Sequence, residues 1–243
     1  MTDADATGGR RQAELVTRLG AVRARIGAAC DAAGTDMSTV TLIAVTKNHA
    51  VDDIATLARL SVFDIGESKD QEARAKLAEL DETARSPLRW HLVGRLQTNK
   101  VNSVVTYAHA VHSVDRPKLA RALADAAAER RSTPLEVFCQ VSLDGDPDRG
   151  GVLEADLPAL ADLVAGRDEL VLRGVMAVAP MDAEPDAAFE QLARISARLR
   201  REHPDADAIS AGMSGDLEAA VRQGSTHVRV GSALLGRRDQ IFS

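Results

Sequence analysis

Apolar positions recur along this chain with two periods that take turns. Leu15, Leu19, Val22, Ile26 and Cys30 stand three or four residues apart, the spacing of one helix face, and predict a helix over residues 12–33. From residue 40 onward that spacing gives way to short runs rich in Val and Ile, at 40–46, 62–67, 89–94, 110–114, 135–143, 172–179, 208–212 and 227–233. Helical patterns lie between them at 52–60, 70–80, 97–105, 117–130, 153–165, 185–202 and 215–223. Strands that alternate with helices pair in parallel, because each helix carries the chain back to the same edge of the sheet. Eight such repeats at this length predict an α/β fold, a closed (β/α)8 TIM barrel with the first helix as an addition. A doubly wound open sheet is the competing arrangement, but the Gly-x-Gly-x-x-Gly turn that usually marks its first crossover is absent after Thr46. Glycines and prolines are scattered between elements with no low-complexity linker. Residues 1–243 therefore read as one domain, with residues 1–10 as a flexible lead.

Composition then narrows the function. The chain is 45% hydrophobic and 27% charged, ordinary for a globular protein. A net charge of -6 offers no basic field to a polyanion, and 2% aromatic residues leave little to stack on bases, so nucleic acid is not an expected partner. No window approaches the run of about 18 apolar residues that a spanning helix needs, so no membrane association is expected. No apolar stretch follows Arg10 and Arg11 as it would in a leader, which points to the cytoplasm. Cys30 and Cys139 lie far apart and read as two buried thiols rather than a disulfide or a zinc site. Lysine is scarce, with five residues against 25 arginines, so a lysine at a strand end stands out.

In a barrel of this kind the chemistry sits at the C-terminal ends of the strands. Lys47 ends the first run and by alternation shares a face with Ile43 and Val45. An amine at the mouth of an apolar interior is partly desolvated, which favours its neutral, nucleophilic form and Schiff-base formation with an aldehyde. The alternative is a snorkelling side chain with its ammonium in water. Gly212-Met213-Ser214-Gly215-Asp216 is a small-residue turn into a helix, with Ser214 as its N-cap; together with Gly231 and Ser232 it follows the seventh and eighth runs, where barrels frequently bind phosphate. The same turn is common without any ligand, and Asp216 and Glu218 already complement the helix end. Arg229 lies inside the last run on the face opposite Val228 and Val230. Pointing into the barrel, it needs an acceptor, either a structural carboxylate or a ring nitrogen of a ligand. His91 reads as a hydrogen-bonded wall residue rather than a base, and Glu67, ending strand two, reads as a solvated strand-end carboxylate, with the orienting of a neighbour as the alternative. Asp144, Asp146 and Asp148 imitate the start of a calcium loop, but Arg149 and Ala155 stand where glycine and a bidentate Glu are required, so no metal is expected.

Together these segments resemble the pyridoxal-phosphate homeostasis protein family, the YggS/PROSC family, whose members are similar to the barrel domain of alanine racemase standing alone, a fold type III pyridoxal-phosphate binder. The resemblance rests on Leu42-Ile43-Ala44-Val45-Thr46-Lys47, Ile65-Gly66-Glu67, Gln71-Glu72, Trp90-His91-Leu92-Val93-Gly94 and Leu96-Gln97-Thr98-Asn99-Lys100 in the first half. In the second half it rests on Leu172-Arg173-Gly174-Val175-Met176-Ala177, Gly212-Met213-Ser214 with Asp216-Leu217-Glu218-Ala219-Ala220, and Gly224-Ser225-Thr226 followed by Val228-Arg229-Val230-Gly231. It implies that Lys47 holds pyridoxal 5'-phosphate as a Schiff base and that Gly212, Met213, Ser214, Gly231 and Ser232 hold the phosphate. It further implies that Arg229 faces the pyridine nitrogen and that Met176 and His91 line the pocket. An arginine does not readily give up its proton, so the ring nitrogen stays unprotonated and the cofactor is a weaker electron sink than one paired with a carboxylate. The sequence departs from the family pattern at Ser68 and Lys69, where Asn and an aromatic residue are usual, and at Arg149, often a lysine, so no second aldehyde-trapping site is expected there.

The resemblance implies a non-catalytic protein, acting as a monomer, that holds and releases pyridoxal phosphate in vitamin B6 homeostasis, with dependent apo-enzymes as recipients. Two alternatives stand beside it: an amino-acid racemase-type enzyme with weak activity, and a Schiff-base aldolase on a sugar phosphate. Two-base racemisation needs an acid/base on each face of the ring, and the chain's one tyrosine, Tyr107, is poorly placed for that role.

Overall fold

The computed structural model describes residues 3–146 and 148–236. Eight parallel strands close into a barrel in chain order: β1 (Thr41–Val45), β2 (Asp64–Glu67), β3 (Arg89–Leu92), β4 (Ala108–Val114), β5 (Leu135–Gln140), β6 (Leu170–Met176), β7 (Ala208–Ser210) and β8 (His227–Val230), which pairs back onto β1. The helices are α1 (Asp3–Ala33), α2 (Val51–Arg59), α3 (Asp70–Glu79), α4 (Glu82–Arg85), α5 (Val101–Val104), α6 (Pro117–Arg130), α7 (Leu157–Ala165), α8 (Pro185–Glu202), α9 (Leu217–Arg222) and α10 (Ser232–Leu235). Every one of the eight Val- and Ile-rich runs holds a strand, so the (β/α)8 barrel is correct and the open sheet is not. The runs overreach at their C-terminal ends: residues 46–47 and 231–233 leave the ladder for turns and α10. α1 begins at Asp3 rather than near residue 12, so residues 3–10, read as a flexible lead, continue the helix. Arg11 docks that end, pairing with Asp53 at 2.8 Å and donating to the Leu235 carbonyl at 2.9 Å.

Alternation along the strands sorts side chains between two environments. Outward residues meet the helices: Leu15, Leu19, Val22 and Ile26 of α1 pack in one cluster with Val228, Val230 and Leu234. A second cluster joins Val111, Val137 and Val175 to Leu119, Leu123 and Leu160. Each such aliphatic side chain contributes about 1.5 to 3 kcal/mol by leaving water. Because the two β8 valines face outward, Arg229 between them faces in, as the alternation requires. The interior carries a small apolar plug of Ala110, Phe138, Met176 and Ala208. Gly174 lets β6 close on β7 there. It has φ of +147°, and a Cβ would stand 1.9 Å from the Ala208 carbonyl oxygen, a position only glycine occupies.

Both cysteines are free and buried, as expected, and burial pushes the Cys139 thiol up to about 12. Among the described residues no helix is long and apolar enough to cross a membrane.

Candidate functional site

β1 ends at Val45, so Lys47 lies in the turn beyond it with its side chain exposed. Of the two readings of Lys47, its exposure matches the snorkelling side chain rather than the desolvated one. What the fold provides instead is a backbone pinned on both sides of it. Thr46 Oγ1 donates to Glu67 Oε1 at 2.6 Å, and Lys76 Nζ donates to the Thr46 carbonyl at 2.7 Å. The Asn48 N–H donates to Glu72 Oε1 at 2.5 Å, and Asn48 takes φ of 62°, a left-handed conformation that asparagine tolerates better than most residues. Lys76 Nζ also donates to Glu67 Oε1 at 2.6 Å and to Glu72 Oε1 at 2.7 Å, so one buried ammonium ties the end of β2, the start of α3 and the Lys47 turn together. Glu67 is 1% exposed, which corrects its reading as a solvated carboxylate. Burial raises its carboxyl above the usual range against the pull of Lys76 and Thr46. Lys76 is not legible as a site residue from the sequence; its one signal is Glu72 a helical turn earlier.

β7 and β8 precede β1 around the barrel, so the other candidates come to the same end of it. Arg229 stands opposite Ile43 and is 5% exposed. Its Nη1 donates to the Ser210 carbonyl at 2.7 Å and to Ser210 Oγ at 2.8 Å, while Nη2 donates to the Ala177 carbonyl at 2.9 Å. Among the described residues no carboxylate pairs with it. Its direct acceptors are neutral oxygens, and burial outweighs the Coulombic pull of Asp216 and pushes it down to about 10, still charged at neutral pH.

The two small-residue loops lock onto this strand pair. Gly212, with φ of +89°, accepts at its carbonyl from the Arg229 N–H at 2.9 Å. At Gly231 a Cβ would stand 3.3 Å from the Val45 carbonyl oxygen, so the loop after β8 lies against the end of β1, two residues short of Lys47. Ser214 is not the N-cap of α9; Asp216 takes that position, and Ser214 Oγ accepts instead from the Ala233 N–H at 3.1 Å, joining the loops after β7 and β8. Ser214 thereby keeps its own hydroxyl proton for another acceptor. The Met213 N–H is taken by Asp216 Oδ1 at 2.5 Å and its side chain is exposed, whereas Met176 is buried at the end of β6. Ser232 opens α10 on the exposed rim.

Lys47, Gly212, Met213, Ser214, Arg229, Gly231 and Ser232 thus form one neighbourhood. His91 does not join it. It is buried midway along β3, with Nε2 at 2.9 Å from Asp64 Oδ1 and Nδ1 at 2.9 Å from His112 Nε2. Ser68 and Lys69 lie with Arg95, Lys100 and Arg116 in a separate cleft of about 840 Å³ beyond β2, β3 and β4. Arg149 fastens two loops, donating to the carbonyls of Val178 and Ala179 at 2.8 Å each.

An exposed lysine after β1, a buried arginine in β8 and small-residue loops after β7 and β8 meet at the C-terminal face of a closed parallel barrel, the face at which (β/α)8 proteins carry their sites. Residues 18–239 match the family described as alanine racemase, N-terminal domain. The pyridoxal phosphate homeostasis protein of Mycobacterium leprae is 44% identical over 243 residues, covering 94% of both chains. PipY of Synechococcus elongatus, solved with pyridoxal phosphate bound, is 34% identical with a TM-score of 0.77 over 91% of this chain and all of its own. Alanine racemase of Corynebacterium glutamicum shares the fold at 15% identity, with a TM-score of 0.65 over 92% of this chain and 64% of its own. The chain belongs to the pyridoxal phosphate homeostasis protein family.

Proposed function

We propose that this chain binds pyridoxal 5'-phosphate at the C-terminal face of its barrel, with Lys47 as the capturing amine, and serves to hold and release the cofactor for dependent apo-enzymes. The observation that carries this reading is Arg229: a buried guanidinium, charged at neutral pH, bonded to neutral oxygens beside an accessible lysine. A buried cation bonded only to neutral oxygens, with its nearest carboxylate, Asp216, out of ion-pair contact, is costly unless a ligand completes its surroundings. The residues present fit the group. The cofactor, when bound, supplies an aldehyde for the lysine amine and a ring nitrogen that accepts one hydrogen bond.

In this reading Arg229 would donate to the ring nitrogen and keep it unprotonated, Ser214 and Ser232 would offer hydroxyls to the phosphate, and the buried Met176 would line the apolar floor of the site. Met213 contributes position rather than its amide, which Asp216 occupies. A holding role is favoured over racemisation because Tyr107 packs on the helix-facing side of the barrel, its ring edge-on to Trp90 at 6.5 Å, rather than in the interior that Arg229 faces. Burial and the nearby Asp70 carboxylate hold its phenol well above the ordinary value, so it stays protonated and is a poor base.

The test is a visible spectrum of the protein with added pyridoxal phosphate, followed by borohydride reduction and peptide mapping. A yellow band is expected with the reduced adduct on Lys47, and Lys47→Ala abolishes both. An adduct on another lysine, with the alanine variant unchanged, sinks the assignment. Absence of any band moves the sugar-phosphate aldolase to the front.

A further inference from the structure

The cleft of about 840 Å³ beyond β2, β3 and β4 shares no lining residue with the Lys47 neighbourhood. Its volume lies within the span of about 300 to 1,000 Å³ typical of small-molecule pockets. Three loops build it, and they are pinned to one another. At Gly94 a Cβ would stand 2.2 Å from the Ser68 carbonyl oxygen, so the loops after β2 and β3 are in backbone contact. Arg116 Nη2 donates to the Leu96 carbonyl at 3.0 Å, which ties the loop after β4 to the loop after β3. Ser103 Oγ donates to Asp70 Oδ1 at 2.7 Å and joins the start of α3 to α5. The cleft is therefore shaped by bonds that need no ligand.

Its charge is out of keeping with the rest of the chain. On a protein of net charge -6, four lining side chains are cationic, Lys69, Arg95, Lys100 and Arg116, against one carboxylate, Asp70. Asp70 is 8% exposed and already holds the Ser103 hydroxyl, and Arg116 is paired with Asp115. Glu72, close to Lys69, accepts instead from Lys76 and from the Asn48 N–H. Lys69, Arg95 and Lys100 are exposed and, among the described residues, make no ion pair. Like charges gathered around one concavity focus their field on it, and a multiply charged anion there relieves their mutual repulsion. The cations come from separate loops and so from several directions, which suits a tetrahedral phosphoryl group better than a planar carboxylate. No aromatic side chain lines the cleft, so a nucleobase has nothing to stack on. Its two leucines, Leu92 and Leu96, are 2% and 3% exposed, so it presents no apolar anchor of the kind that protein interfaces use.

We propose that this cleft is a second ligand site, for a small molecule carrying a diphosphate group, held by Lys69, Arg95 and Lys100. A diphosphate spreads its charge over two linked phosphoryl groups, as three separate cations require, and Thr98 and Asn99 on the same loop add side-chain donors. The proposal does not depend on the cofactor reading, because no residue assigned to pyridoxal phosphate takes part in it.

The test is a titration of the 15N-labelled full chain with pyrophosphate, read by two-dimensional amide NMR. Saturable shifts are expected at residues 68–71 and 95–100, with inorganic phosphate bound there about tenfold more weakly. Arg95→Gln and Lys100→Gln should each weaken pyrophosphate about tenfold, the scale of one charge-assisted hydrogen bond, while Arg200→Gln, which removes an exposed cation of α8, should leave it unchanged. All three side chains are exposed, so each variant should fold. Shifts confined to the loops after β7 and β8, or no saturable shift at all, would overturn the proposal. So would equal losses in Lys100→Gln and Arg200→Gln, which mark a diffuse charge effect, or equal affinity for inorganic phosphate or citrate. A hexaglutamate peptide that occupies the cleft more tightly than pyrophosphate would make it a docking face for an acidic protein and overturn the small-molecule assignment.

Discussion

Lys76→Met destabilises the protein by about 3 to 5 kcal/mol at neutral pH, the range for removing one partner of a buried ion pair. The ammonium it lacks makes three bonds at once, to Glu67 Oε1, Glu72 Oε1 and the Thr46 carbonyl. Glu67 is left buried with the Thr46 hydroxyl alone, its Oε2 already having no hydrogen-bond partner. Against a total stability of about 5 to 15 kcal/mol, such a loss is large. It also frees the turn that carries Lys47, so formation of the visible band should slow even under conditions where the variant is folded. Urea denaturation at pH 7 measures the first effect and stopped-flow absorbance the second. The double variant Lys76→Met with Glu67→Gln should recover much of the stability, since no charge is then stranded. A single-variant loss below about 1 kcal/mol would mean that Lys76 is not the tie between these elements.

Acidification should weaken the protein well above the pH at which carboxylates are protonated. Burial is the main cause that holds His112 well below its ordinary value, with His91, Arg229 and His227 adding repulsion. His227 is pushed down to about 3, again by burial first and then by His91, with Asp64 pulling weakly the other way. For a group whose folded value is lowered from about 6.5, the unfolded chain binds the proton first. Stability is unaffected above that value and falls as pH drops below it, by up to about 1.4 kcal/mol per pH unit per histidine. Two such groups predict a loss of about 3 to 4 kcal/mol between pH 7 and pH 5. Asp64 adds to this only at lower pH. Burial would raise its carboxyl, but the Arg89 and His91 hydrogen bonds outweigh burial and hold it well below the usual range, so its contribution is lost below about pH 4. Glu67, whose carboxyl burial raises, opposes the trend as it takes up a proton. Urea melts across this range should show the slope, and His227→Phe should remove about 2 kcal/mol of it, with His109, which burial also lowers, contributing beside His112. A flat profile from pH 7 to pH 5 would contradict neutral buried histidines.

Much of this protein is determined by local pattern. Eight apolar runs separated by helical periods specify a closed barrel because strand and helix periodicity are properties of consecutive residues. The inward direction of Arg229 follows from two outward valines, and the nearness of Lys47 to the loops after β7 and β8 follows from strand order alone. Only the tertiary structure decided what these groups touch. The alternation predicts a carboxylate or a ligand for Arg229, and among the described residues its hydrogen bonds go to no carboxylate but to neutral oxygens of Ser210 in β7 and Ala177 just beyond β6. Glu67 reads as solvated and lies under Lys76. Ser214 reads as a helix cap and instead bonds the next loop. His91 reads as a pocket wall and belongs to a chain linking Asp64 to Ser210. That chain joins residues 21 to 98 positions apart. Hydrogen bonds across such separations depend on barrel register and on which end of a strand a side chain occupies, and neither quantity is expressed in the spacing of residues along the chain.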